Sequence, residues 1–395
     1  MKIVIYRKSP LIGTHGGIEK VISAFANAFT AKGHEIVIIT RDKRKGSLFF
    51  PVAPNVRLIN LHSATQKNWN IFRQGVYEIC RHTKNGTQFL QKHPFFDREK
   101  AVADIISTEI AKINPDIILS SGIVDSIDLL HGQKLDIPII QMLHCLPSFY
   151  MRAKNEITRH NFAEVLNKIS CAQVLLPSYI ENFRPYYNGE IAPIGNFVEQ
   201  TEQNISYDKN KKKYSIIYMA RLNPVKQQDL LIKAFALLAP QYPDWEVNLW
   251  GTSESAQYEK LKKLILKLNV EKQIFLRGVT KETQKELLKS DICACPSTFE
   301  GFSLSLTEAM SVGLPCIGLK TASCVNELIV DDVNGYLTDN TPEDFAAKLK
   351  ILMDSHEKRQ HFGLAGKEKM KQYSPESIWN KWEKLIKETV ENHHA

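Results

Sequence analysis

The sequence predicts two consecutive α/β domains, each wound around a parallel sheet, on three observations. Strand-like and helix-like segments alternate along the whole chain, the pattern of a sheet covered by crossover helices. The strand-like runs are continuously apolar, as strands buried on both faces are. One polar stretch, residues 199–213, interrupts the alternation with the composition of an interdomain linker. The 395 residues suffice for two such domains.

The elements follow in order. Residues 2–6 are an expected strand, and Arg7 and Lys8 directly after it argue against a signal peptide. Gly16 and Gly17 open a helix reaching about Lys32, with Ile18, Val21, Ile22, Phe25, Ala28 and Phe29 at helical spacing. Gly33 and His34 end it before a strand at 35–40. Further strands are expected at 57–61, 116–120, 137–143 and 173–177. Residues 62–100 exceed a usual connection and read as a functional excursion with its own helices. After the linker come strands at 214–220, 246–251, 274–278, 292–296, 315–319 and 335–338, then three amphipathic helical stretches, the last around 375–391. The expected domains are 1–198 and 214–374, with a cleft between two sheets; in such folds ligands bind at the carboxyl ends of strands.

A hydrophobic content of 43% and a charged content of 24% are those of a soluble globular protein. No apolar run is long enough to span a membrane. Seven cysteines, Cys80, Cys145, Cys171, Cys293, Cys295, Cys316 and Cys324, lie mostly in apolar strands and read as reduced thiols of a cytoplasmic protein. None has zinc-ligand spacing with a histidine or a second cysteine pair. Of the net charge of +8, the first hundred residues carry more than the whole, with 17 Lys and Arg against 6 Asp and Glu. That excess includes Arg41 to Lys45 and a stretch from Lys67 to Lys100 interleaved with Trp69, Phe72, Tyr77, Phe89, Phe95 and Phe96. Cations among aromatics suit an anionic membrane surface or an anionic acceptor; a solvated face over a partly buried helix is the plainer alternative. No nucleic-acid-binding signature is visible.

The polar clusters fall where strands end. Gly16 and Gly17 start a helix whose amides could approach a phosphate, though a plain turn reads equally well. His144 follows an apolar strand and can point into the cleft or simply pack; His15, beside the glycine pair, competes with it. Arg221 and Lys226 follow the strand at 214–220 and flank Pro224; a forked cation and a point charge together suit a diphosphate leaving group. The richest stretch runs from Ser297 to Pro315. Gly301 permits close backbone approach, Ser303 or Ser305 can cap a helix, and the amides there suit a phosphate. Glu300 and Glu308, poor phosphate ligands, suit sugar hydroxyls, and a buried Glu308 needs a partner. Together they read as a nucleotide-sugar site.

At this point the chain resembles a family. Gly16-Gly17 after the first strand, Arg221 and Lys226, Gly251, the Glu300-x7-Glu308 segment and Gly313-x-Pro315 are similar to the retaining glycosyltransferases of family four, the group-1 type. The resemblance implies the GT-B fold, two Rossmann-like doubly wound domains facing a central cleft, with the last helix, about 375–392, packed back on the first domain. It implies that the second domain binds a nucleotide-diphosphate sugar and the first a saccharide acceptor. Carried over, Arg221 and Lys226 grip the diphosphate, Glu300 binds donor-sugar hydroxyls, Glu308 binds the ribose, and the backbone of Gly301, Phe302, Ser303 and Leu304 touches sugar and phosphate. Gly16 and Gly17 border the phosphates, His144 lies near the donor sugar, and the base platform involves residues around Arg277 to Val279, with Gly251 beside the ribose. The usual Asn-Gly turn before the linker is replaced here by Pro193-Ile-Gly195-Asn196.

The expected activity is transfer of a hexose or N-acetylhexosamine from a nucleotide sugar, with UDP favoured on family habit, to a saccharide acceptor on a lipid carrier, as in lipopolysaccharide or capsule synthesis. The enzyme would work in the cytoplasm, peripheral to the inner face of the plasma membrane. No Asp-x-Asp motif appears, so neither a cofactor nor an obligatory metal is expected. A sugar-nucleotide epimerase, a phosphorylase of the same fold or a non-catalytic carbohydrate-binding protein are the alternatives.

Overall fold

A computed structural model describes residues 1–66, 69–81, 83–148, 162–203, 205, 207, 211–252 and 256–394. Lys67 of the basic stretch and Asn204, Ser206 and Asp208 to Asn210 of the polar linker lie outside the described residues. The chain forms two compact units, Met1–Gly195 with Ile378–Ala395, and Asn196–Ser377.

Unit 1 holds a seven-stranded sheet. Its strands are β1 (Lys2–Arg7), β2 (Glu35–Thr40), β3 (Arg57–Asn60), β4 (Ile117–Ser120), β5 (Ile139–Met142), β6 (Cys171–Val174) and β7 (Glu190–Pro193), in the order β3-β2-β1-β4-β5-β6-β7. All pairings in it are parallel. The central strands carry fully buried Val4, Ile38, Leu119 and Ile140, so their apolar runs reflect cover on both faces. β7 escapes the sequence reading because it is a short edge strand with one buried residue, Ile191, and a terminal proline, which only an edge tolerates. β6 begins and ends earlier than its apolar run; Leu175 and Leu176 are buried beyond it, and the Ser178–Phe183 helix follows Pro177.

Between β3 and β4 the excursion folds as helices His62–Gln66, Ile71–Cys80 and Lys84–Lys92, a 3-10 turn Pro94–Phe96, and the long helix Arg98–Ile113. Asn70, Thr83 and Asp97 cap three of these helices by accepting N–H bonds from Arg73, Gly86 and both Glu99 and Lys100. Unit 1 is completed by the Pro375–His394 helix from Ile378 onward, whose Trp379 and Trp382 stand edge-on to Phe25 of the Gly17–Ala31 helix at 6.0 and 5.5 Å.

Unit 2 holds a six-stranded parallel sheet: β8 (Tyr214–Met219), β9 (Trp245–Trp250), β10 (Ile274–Gly278), β11 (Ile292–Cys295), β12 (Cys316–Leu319) and β13 (Gly335–Thr338), in the order β10-β9-β8-β11-β12-β13. The described part of the polar stretch lies along this unit. Tyr207 donates its hydroxyl to the Gly313 carbonyl at 2.5 Å, Ile205 N–H reaches the Val312 carbonyl, and Lys211 pairs with buried Asp291 at 2.8 Å.

Both sheets share one order. Each starts in its middle, runs to one edge through its second and third strands, and then resumes on the other side of the first. The reversal lies between β1 and β4 in unit 1 and between β8 and β11 in unit 2, and the carboxyl end of such a reversal is where open α/β sheets take ligands.

Candidate active site

In unit 2 the reversal gathers the residues singled out from the sequence. Ala220 and Arg221 follow β8, and Asn223 caps a 3-10 turn, Pro224–Lys226, by accepting the Lys226 N–H at 3.1 Å. Gln227 is left-handed at φ 43°, and the Gln228–Leu238 helix starts only after it. Arg221 and Lys226 therefore stand before the helix, not in its first turn, because Pro224 opens a separate turn. Lys226 points back across the reversal. Its Nζ lies 2.6 Å from Glu300 Oε1, with both side chains largely buried. The same oxygen accepts the Ser297 hydroxyl at 2.6 Å, and Ser297 is 2.7 Å from the hydroxyl of buried Tyr218 on β8. Burial and the nearby Cys295 and Glu300 hold the Tyr218 phenol well above its ordinary range, so Tyr218 remains a neutral hydrogen-bonding group. The Arg221 side chain is exposed.

The Glu300 loop is tied at several points. Thr298 N–H reaches the Val225 carbonyl at 2.9 Å, joining this loop to the Lys226 turn. Ser323 donates to the Glu300 carbonyl at 3.2 Å, and the Cys324 thiol accepts the Ser303 N–H at 3.3 Å. Cys324 has φ 72° and ψ −50°, close to the rare and strained γ-turn conformation. Ser303 stands at the N-cap of the Leu304–Ser311 helix but makes no capping bond; its hydroxyl lies beside Cys295 Sγ instead. No side-chain oxygen of that cap takes the first-turn amides, which a helix start leaves aimed outward and suited to an anion. Phe302 is buried against Tyr373, while Glu308 is half-buried between buried Thr307 and Ala309.

The residues expected to carry the base lie at the ends of β9 and β10. Gly251 N–H bonds the Gly278 carbonyl at 2.7 Å, and a Cβ at Gly251 would collide with the Ala220 carbonyl. Val279 is exposed beside them. The Arg277 side chain instead turns along the sheet face. It donates to Asn248 at 2.6 Å, lies over Phe275 and lines a 370 Å³ groove with Glu246, Asn248 and Trp250.

In unit 1 the reversal carries a charge cluster that the sequence reading missed. Asp128 accepts from Tyr6 at 2.7 Å and from Lys8 at 2.8 Å, and it also pairs with Arg41. Asp125 accepts the Lys8 N–H, and Arg7 NH1 stands 3.7 Å from its other oxygen, an ion pair with no hydrogen bond. Burial lifts Asp125 to about 7 against the pull of Arg7. The missed signal was Asp125-x-x-Asp128 inside the apolar Ile123–Leu130 helix, since two buried acids need cations. His144, just beyond β5, pairs with Ser121 at 3.2 Å. The residue keeps some surface, yet packing around its ring, helped by the Arg7 cation, lowers it to about 3 and keeps it neutral. Gly16 is the N-cap of the Gly17–Ala31 helix, with no side-chain cap bond. The Glu19 carboxylate folds against Gly16 and pairs with Arg7 at 3.8 Å, so an internal anion stands at that helix start. His15 rests near Phe49.

Among the described residues, one group offers three metal-ligand atoms within 4.8 Å: Asp97, Glu99 and His131. Asp97 is spent there on two cap bonds and on His131 at 2.7 Å, which makes the group a latch between the excursion and the Ile123–Leu130 helix.

Residues 199–369 match the family described as glycosyl transferases group 1. A poly(glycerol-phosphate) alpha-glucosyltransferase of Bacillus subtilis is 27% identical over 46% of this chain, and a poly(ribitol-phosphate) alpha-N-acetylglucosaminyltransferase of Staphylococcus aureus is 29% identical over 56%. The chain spans only 27% and 45% of the lengths of these two relatives. Among solved structures, TarM of S. aureus, in complex with fondaparinux, alpha-GlcNAc-glycerol and UDP, superposes with a TM-score of 0.74 at 16% identity, covering 98% of this chain and 99% of that one. That likeness is one of fold, the GT-B fold.

Proposed function

We propose, from the match of residues 199–369 to the glycosyl transferases group 1 family, that the chain is a retaining glycosyltransferase for a surface polysaccharide. It moves a hexose or N-acetylhexosamine from a nucleotide-diphosphate sugar to a saccharide acceptor held on a lipid carrier. The carrying observation is the Lys226–Glu300 pair at the reversal of the second sheet, inside the matched segment. The Lys226 Nζ and a Glu300 carboxylate oxygen stand 2.6 Å apart there. Lys226 and the exposed Arg221 neutralise the diphosphate as it leaves, together with the amides at the start of the Leu304–Ser311 helix. Glu300 takes donor-sugar hydroxyls, and Glu308 takes the ribose. Because Glu300 Oε1 already serves Lys226 and Ser297, it is better suited to hydroxyl binding than to attack. Substitution then proceeds on one face of the sugar, with the leaving phosphate accepting the acceptor proton. Trapping a covalent sugar on Glu300 would overturn this route.

UDP is favoured as the nucleotide, in keeping with the UDP held by TarM. The relatives named for poly(glycerol-phosphate) and poly(ribitol-phosphate) point to a polyanionic or phosphate-linked acceptor, and the basic first hundred residues complement one. No metal is required on this reading, since two cations already stand at the leaving group. The test is slow release of nucleotide diphosphate from UDP- and GDP-sugars with and without EDTA. Activity in EDTA that Lys226→Ala lowers about a hundredfold or more supports the reading. Activity restored only by a divalent cation removes the metal-free part, and unchanged activity in Lys226→Ala removes the site.

A further inference from the structure

The Ile71–Cys80 helix is built inside out. Its polar side chains face its neighbours. Gln74 accepts from Trp69 Nε1 at 2.5 Å and donates to Glu78 at 2.6 Å, Arg98 reaches the same Gln74 oxygen, and Arg73 donates to the Phe95 carbonyl at 2.9 Å. Tyr77 is buried, but three of the helix's large apolar side chains face water: Ile71 is 93% exposed, Phe72 69% and Ile79 77%. Positions 71, 75 and 79 recur every four residues, so one face carries both isoleucines and the side-chain-free Gly75, with Phe72 beside it. Phe95 adds a further 61%-exposed ring, reached through Phe96, which lies 6.0 Å from Phe72 and 5.2 Å from Phe95. A surface helix normally points such residues at the core, and a contiguous exposed apolar face marks an interaction site.

Charge selects the partner. From Lys67 to Lys100 the sequence has seven Lys and Arg against three Asp and Glu. The three acids are engaged within the protein: Asp97 is buried against His131, Glu99 interacts with Tyr77, and Glu78 pairs with Arg81 at 3.2 Å. Seven cations against three acids leave this stretch net positive. We infer that this face seats on an anionic lipid bilayer, with Ile71, Phe72, Ile79 and Phe95 entering the headgroup boundary and Arg73, Arg81 and Lys92 meeting lipid phosphates. A soluble polyanion would satisfy the cations but gain nothing from four exposed hydrocarbon side chains, whereas a bilayer satisfies both. The ten-residue helix is too short to cross a membrane, so the contact is interfacial. The inference deepens the lipid-linked acceptor reading above and rests on it for its purpose, but not for its geometry.

The test is sedimentation of the full chain with phosphatidylcholine vesicles, with and without phosphatidylglycerol. Donor hydrolysis and sedimentation equilibrium are measured in parallel. The wild type is expected to pellet with the anionic vesicles only, and less at high salt. Phe72→Ser with Ile79→Ser, and separately Arg81→Gln with Lys92→Gln, should each weaken binding about tenfold or more, with unchanged thermal unfolding and unchanged donor hydrolysis. Equal partitioning of wild type on both vesicle types overturns the inference. So does a self-association that Phe72→Ser abolishes, which would make the face a contact between copies, or binding to a soluble polyphosphate that both pairs of substitutions leave equal to vesicle binding. Vesicle binding without donor hydrolysis would sink the proposed function and leave this surface standing; donor hydrolysis without vesicle binding would do the reverse.

Discussion

Lys226 and Glu300 hold each other in place, besides the donor-binding roles proposed for them, so removing either should have two effects. Lys226→Ala leaves a largely buried carboxylate without its cation and should cost about 3 kcal/mol of stability besides the lost turnover. Glu300→Gln keeps an acceptor for Ser297 and should fold normally while lowering turnover. Glu308→Ala should instead weaken nucleotide affinity, read by titration calorimetry with UDP. The two odd titrations of unit 1 act in opposite directions. His144 is lowered from 6.5 to about 3, so between those values the unfolded chain binds more protons and stability falls as pH drops. Asp125 is raised from 3.8 to about 7, so the folded chain binds more protons and stability falls as pH rises through that window. Urea midpoints across pH 4–7 should therefore lose acid sensitivity in His144→Asn and lose the opposing slope in Asp125→Asn. A flat difference for either variant removes the corresponding assignment.

At the scale of elements, the strands at 35–40, 274–278 and 335–338 were legible to the residue, because an apolar run bounded by turn residues admits few other solutions. β7 was not, because an edge strand needs little apolar character. Within the candidate site, Arg221, Lys226, Glu300 and Glu308 were legible from their position after strands. The network around Glu300 and its loop was not, since Tyr218, Ser297, Ser323 and Cys324 meet only after the sheet forms. The Ser323–Cys324 corner carries its own prediction. Cys324→Ala removes the acceptor of the Ser303 N–H but keeps the strained backbone, so donor KM should rise while the unfolding temperature moves little. Cys324→Gly, which relaxes the strain, should be the more stable of the two. Helix packing gives a sharper case. A Cβ at Gly363 would run into the Gly313 carbonyl and the Tyr207 hydroxyl, so Gly363→Ala should cost about 1–3 kcal/mol, measured by denaturant unfolding.

For the whole molecule, both sheets repeat one strand order, and both reversals collect the charged residues. Unit 1 differs in being assembled from both ends of the chain. Trp382 is 3% exposed and stands against Phe25, so Trp382→Ala should destabilise unit 1 by about 3–5 kcal/mol and leave unit 2 unaffected, seen as one of two calorimetric transitions moving. Ile378–Ala395 lies in unit 1, whereas unit 2 ends at Ser377. During synthesis this inverts the usual order. Asn196–Ser377 is translated in full before the tryptophans that cover Phe25 and Phe29 are added to the chain. The segment translated first is therefore finished last, and until then its bare aromatic face is exposed to chaperones and to neighbouring nascent chains.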